Sequence, residues 1–84
     1  MTSRSEKRKA VLVDWIDSTS FSTHRWRDLG ESKQLTPSKI QSVGFLVAEG
    51  KSFITLTGSL CEENNASGCM TIPRGCITRM RRLK

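Results

Sequence analysis

Three groups of residues in this chain have types and spacings that could do chemistry. The first surrounds the single histidine. Ser18, Ser20 and Ser22 precede His24, and Asp14, Asp17 and Asp28 lie close in sequence. A serine–histidine–aspartate arrangement is therefore available in composition. Nucleophilic catalysis needs more: an oriented nucleophile, a base held by a third group, and donors for the oxyanion. The chain has no nucleophile elbow, no glycine-rich phosphate loop and no helical metal-binding signature. The second group is Cys61, Cys69 and Cys76, which with His24 could make a Cys₃His set. No close-spaced ligand pair nucleates such a site. These residues read as free thiols, with Cys69 and Cys76 acting as small core residues. We expect a protein that is not an enzyme, with no catalytic residue, no metal ligand and no cofactor.

The third group is basic and aromatic. Trp26 stands in "HRWRD", between Arg25 and Arg27. An aromatic ring between two guanidinium groups suits stacking on a base or anchoring a protein partner. The alternative is a lid that folds a long loop back over the core. The end of the chain, "MTIPRGCITRMRRLK" (70–84), carries five positive charges and no negative one. Net charge is +6, and it is unevenly placed. Residues 1–9 contribute +3, residues 74–84 contribute +5, and the stretch between them contributes −2. Positive charge at both ends favours a polyanion or an acidic protein surface. The candidate nucleic-acid or partner-binding residues are Lys7, Arg8, Lys9, Arg25, Trp26, Arg27, Arg79, Arg81, Arg82 and Lys84.

The elements that must position these residues are strands. "AVLVDWID" (10–17) is rich in β-branched and aromatic residues, with Val11, Val13 and Trp15 alternating with Leu12, Asp14 and Ile16. "IQSVGFLVAEG" (40–50) and "SFITLTGSL" (52–60) make a hairpin across a short turn at 49–51. Gly44 inside the second run implies a bend or bulge. "CEENNASG" (61–68) is a polar turn with residues suited to left-handed geometry. "CMTI" (69–72) is a fourth strand, "PRGC" (73–76) a sharp break, and "ITRMRRL" (77–83) a fifth strand. Within that last run Arg79 and Arg81 share a face, and Met80 and Leu83 point to opposite sides unless a bulge intervenes. Residues 18–39 form a long polar connection. Short helical turns are expected only near 34–42 and 73–76. Five short runs in 84 residues suit one domain, a small antiparallel barrel over 10–84 preceded by a basic tail at 1–9. No apolar run approaches the roughly 18 residues of a membrane span, so we expect a cytoplasmic protein with no membrane partner.

The stretch "IPRGCITRM" resembles the end of SH3-like small barrels, where a proline-bearing 3₁₀ turn joins the fourth and fifth strands. The long connection at 18–39 resembles the irregular first loop of that fold. The chain has no tyrosine, and Gly75 and Cys76 follow its proline, so the aromatic groove that grips proline-rich peptides is missing. The combination "VDWIDS…W…SVGFLVAEG…TL…IPRGCITRMRRL" is similar to small uncharacterised proteins encoded by bacteriophages and prophages. This resemblance implies a phage accessory protein acting in the host cytoplasm.

Two functions compete on this reading. One is nucleic-acid binding through the basic ends, which the first and last strands of such a barrel bring together. The other is a protein-binding factor that inhibits or modulates a host or phage complex. A minor third is sequestration of a small ligand or nucleotide by an oligomer of barrels.

Overall fold

The computed structural model describes residues 9–83. Alternation in the first run sends Val11 and Val13 of β1 (Ala10–Asp17) into the core. β2 (Ser38–Glu49), β3 (Phe53–Leu60) and β4 (Ala66–Pro73) follow as a meander. A 3₁₀ turn at Arg74–Cys76 then leads into β5 (Ile77–Leu83). The five strands form one antiparallel sheet in the order β4-β3-β2-β1-β5. β5 therefore returns to lie beside β1, as the first and last strands were expected to do.

Gly44 is one of the places where the sheet bends. A Cβ placed on Gly44 would lie 2.9 Å from the Thr57 carbonyl oxygen and 3.3 Å from Leu56 Cβ. Leu56 is opposite Leu46, so Gly44 and Leu56 are diagonal neighbours, which in a regular ladder lie about 7–8 Å apart; β3 is therefore folded sharply against β2 at this point. The missing side chain allows Val11 and Val13 of β1 to share one buried cluster with Ile54 and Leu56 of β3 and Ile72 of β4. Trp15, Leu46, Cys76, Ile77 and Met80 pack around it. A register shift between Leu46 and Ala48 adds a second bend to β2.

A bulge performs the equivalent task in β5. Asp14 pairs with Arg79 but Trp15 pairs with Ile77, so Thr78 is the extra residue. Its hydroxyl donates to the Asp14 carbonyl at 3.1 Å. Because of the bulge, Ile77 and Met80 both reach the core although three positions separate them. Arg79 and Arg81 stay together on the outer face, opposite Asp14 and Leu12.

Several expectations need correction. Among the described residues β4 and β5 end the sheet, so the hydrogen-bonded ladder does not close into a full barrel. β4 begins at Ala66, not at 69, because Ala66 and Ser67 still pair with Leu60 and Ser59. The reversal is confined to the residues around Asn64, whose φ is 66°. The helical turn in the long connection is α1 (Leu29–Ser32), and 34–42 instead runs into β2. Cys69, on the edge strand, is exposed, although Thr57 opposite it is buried. Cys76 is half-buried against the core as expected. No helix of the described residues is long and apolar enough to cross a membrane.

Candidate binding surface

The 18–37 connection is built from its own side chains. Its base is closed by Thr19 and Ser38, whose hydroxyl oxygens lie 2.8 Å apart. Asp28 then starts α1. Its Oδ1 accepts from the Glu31 amide at 2.7 Å, satisfying one of the free donors at a helix start. Arg27 holds the loop together. Its guanidinium carbon sits 3.8 Å above the centroid of the Phe21 ring. One terminal nitrogen donates to Glu31 Oε2 at 2.8 Å, and the other to Thr23 Oγ1 at 3.0 Å. Only 11% of this side chain is exposed, and its Nε is buried without a partner among the described residues.

This arrangement separates three neighbours that the sequence presents as one unit. Arg27 points inward and is committed to Phe21, Thr23 and Glu31. Arg25 points outward, and its nearest approach to Glu31 is a long 3.8 Å. Trp26 is 98% exposed. The lid reading of Trp26 is therefore overturned: the indole covers nothing. Leu29, 74% exposed, and Leu35 stand out from the same loop. An open depression of about 480 Å³ lies beside them, lined among others by Phe21, His24, Arg25, Trp26 and Leu35. His24 is exposed and makes no hydrogen bond among the described residues, so none of Ser18, Ser20 and Ser22 is oriented by it.

The remaining candidates lie at the other end of β1. Ala10 pairs with Leu83, Val11 with Arg82 and Leu12 with Arg81, which puts Lys9 beside the end of β5. Lys9, Arg81 and Arg82 are exposed and form no ion pair among the described residues. Arg79 sits further along, opposite Asp14, whose carboxylate accepts from Gln41 Nε2 at 2.9 Å. Lys7, Arg8 and Lys84 lie outside the described residues. Seven steps of about 3.3 Å separate Ala10 from Asp17, so the basic end and the Trp26 loop are on the order of 20 Å apart along β1.

Two features were not singled out from sequence. Phe21, Asp28 and Glu31 form the loop's frame. Its signals were present: Asp28 and Glu31 have the spacing of a capping box, and Arg27 and Glu31 that of a helical ion pair. The second feature is apolar surface on the outer face of the sheet, where Leu12 is opposite Val43 and Ala10 opposite Phe45, with Arg79 and Arg81 along one side. Val43 is 63% exposed there.

No protein-family model, no curated protein and no solved structure matches the chain.

Proposed function

We propose that this chain is a non-catalytic binding module that grips a protein partner through the β1–β2 loop. The carrying observation is Trp26, exposed at the tip of a loop whose internal bonds hold it outward. Tryptophan is the residue most often found to dominate binding energy at protein interfaces. Leu35 lines the same depression as Trp26, and Leu29 is exposed on the same loop. Charge favours protein over nucleic acid at this loop. Arg27 is neutralised by Glu31 and turned inward, which leaves Arg25 and little net positive field around the indole.

The wider reading is an SH3-like small barrel of the phage accessory kind, with a host or phage protein as its partner. The strand order, the sharp bend at Gly44 and the 3₁₀ turn before β5 support the barrel. The phage assignment rests on the sequence resemblance alone.

A second reading has its own observation. Lys9, Arg81 and Arg82 lie at the far end of β1 without acidic partners among the described residues, with Arg81 on the outer face opposite Leu12 and Arg82 on the other face opposite Val11, and exposed cations of this kind suit phosphate contacts. The two readings separate experimentally. Nuclease-treated bacterial lysate is passed over immobilised wild type, Trp26→Ala and Arg81→Ala/Arg82→Ala. Labelled single-stranded DNA and RNA are titrated against the same three proteins over a salt series. The loop reading expects one protein captured by wild type and the arginine variant and lost with Trp26→Ala. It fails if Trp26→Ala retains every bound protein. The nucleic-acid reading expects a steep salt dependence that the arginine variant flattens.

A further inference from the structure

The two edges of the sheet differ in a way that points to a partner. β5 presents Arg79, Arg81 and Arg82, all exposed, along its free edge. Charged residues of this kind are how natural sheets prevent further strands from adding. β4 lacks such charges: Pro73 at its end and Gly68, with φ 74°, interrupt the edge, and 69–72 between them is the stretch open to pairing. The strand is eight residues long, has no charged residue, and is exposed at every position except Ile72. Backbone groups on its outer side have no ladder among the described residues.

The ends of this edge carry opposite charge. Glu62 and Glu63 occupy the turn that leads into β4. Arg74 follows its last residue, and the Arg74 amide donates to the Ser52 carbonyl at 2.8 Å, which puts Lys51 next to it. Arg74 also approaches Glu49 at 3.6 Å, so the basic end retains about one net positive charge, against Glu63 at the other end. A strand with opposite charges at its ends is complementary to an antiparallel copy of itself. Each acidic turn then lies toward the other copy's Lys51–Arg74 end, and the contact is made twice.

We propose that β4 is a self-association edge, at which two copies of this chain join antiparallel into a continuous ten-stranded sheet. Symmetry narrows the register. A twofold axis perpendicular to the sheet keeps each side chain on its own face, so one residue must lie opposite its own copy. Cys69 and Met70 are the two residues at the middle of β4. The interface is isologous and closes at the dimer, and it leaves both Trp26 loops free.

Sedimentation velocity of the full chain over a concentration series tests this, with amide hydrogen exchange measured at the two extremes. The expected result is a reversible dimer that weakens as salt rises, with amides at 69–72 protected at high concentration and released on dilution. Thr71→Lys introduces a charge on an exposed residue of the edge and should weaken the dimer by roughly tenfold or more. Glu63→Lys should weaken it, and adding Lys51→Glu to Glu63→Lys should restore it. A monomer at every concentration overturns the proposal. So do assemblies larger than a dimer, which β4-on-β5 pairing would produce, and so does a dimer indifferent to Thr71→Lys. Exchange on the wild type decides the question even if a variant fails to fold.

Discussion

Arg27→Ala tests whether the β1–β2 loop is a preformed structure. The substitution removes three contacts. The first is the stack on Phe21, worth about 0.5–1 kcal/mol at a partly exposed site and about 2 when desolvated. The second is the pair with Glu31, discounted for its half-exposed carboxylate to about 0.2–1 kcal/mol. The third is the bond to Thr23 Oγ1, about 1 kcal/mol. Removing the side chain also removes the orphaned Nε, which recovers about 1 kcal/mol of desolvation cost. A net local loss of about 1–2 kcal/mol follows, a factor of 5–30 in an opening equilibrium. Hydrogen exchange should therefore quicken by that factor at the α1 amides of Glu31, Ser32 and Lys33, which bond to Asp28 and Leu29. The melting temperature should hardly move, because the buried cluster contains no loop residue. Arg27→Lys keeps the charge but lacks the planar fork, and should lose most of the effect. Unchanged exchange in Arg27→Ala would refute the idea that this side chain holds the loop. A fall in global stability matching the local one would refute the claim that the loop opens independently.

Three further outcomes are expected. Gly44→Ala places a methyl 2.9 Å from a backbone oxygen that cannot swing away, and should cost about 1–3 kcal/mol in urea denaturation; wild-type stability would show that β2 and β3 do not approach so closely. Thr57 is 1% exposed, and its Oγ1 lies 2.6 Å from the Ser67 carbonyl, to which it donates, and 3.1 Å from that of Ser59. Thr57→Val keeps the shape and strands the Ser67 acceptor, so it should cost about 1–3 kcal/mol by the same assay; a neutral result would mean that water reaches this acceptor. The Asn65 and Glu63 backbone amides hold the exposed Cys61 thiol below the usual cysteine range. A lower pKa leaves more thiolate at neutral pH, so in a limited iodoacetamide reaction read by peptide mass mapping Cys61 should be alkylated before Cys69, and the reverse order would contradict the hydrogen-bond account.

Strands were legible because their signal is local. Alternation of Val11 and Val13 with Leu12 and Asp14, and the β-rich run from Phe53 to Leu60, give side-chain direction without tertiary information. Gly44 was legible as a bend because glycine weakens a strand unless geometry requires it. The extent of β4 was not. Ala66, Ser67 and Gly68 have turn-like composition, and only pairing with Ser59 and Leu60 makes them strand. Closure of the barrel was not legible for a related reason. Whether two edge strands meet depends on accumulated twist and on the bends at Val47 and Thr78, and neither register shift is encoded by one residue type. At the candidate site, Trp26 was visible as an isolated aromatic, but the opposite orientations of Arg25 and Arg27 were not. A guanidinium turns inward when it finds a ring and an acceptor, and Phe21, Thr23 and Glu31 supply them across ten residues of chain.

The exposure of Trp26 is best understood as a stability forgone. An aromatic side chain of this class buries 150–250 Å², which at about 25 cal/mol per Å² amounts to roughly 4–6 kcal/mol. That is comparable with the whole stability of a marginal small domain. The fold does use this resource elsewhere: Trp15 is half-buried against the core, and its Nε1 donates to Ser42 Oγ at 3.0 Å. The loop is long enough to have folded Trp26 inward, and Phe21 on the same loop is half-buried under Arg27. A single exposed apolar residue is ordinary on a protein surface. Three exposed apolar residues on one clasped loop, while a charged side chain takes the covered position over Phe21, are not accounted for by folding. The arginine is inside and the tryptophan outside, the reverse of what stability alone would select, and under the proposed function a partner that covers the indole would supply the missing burial.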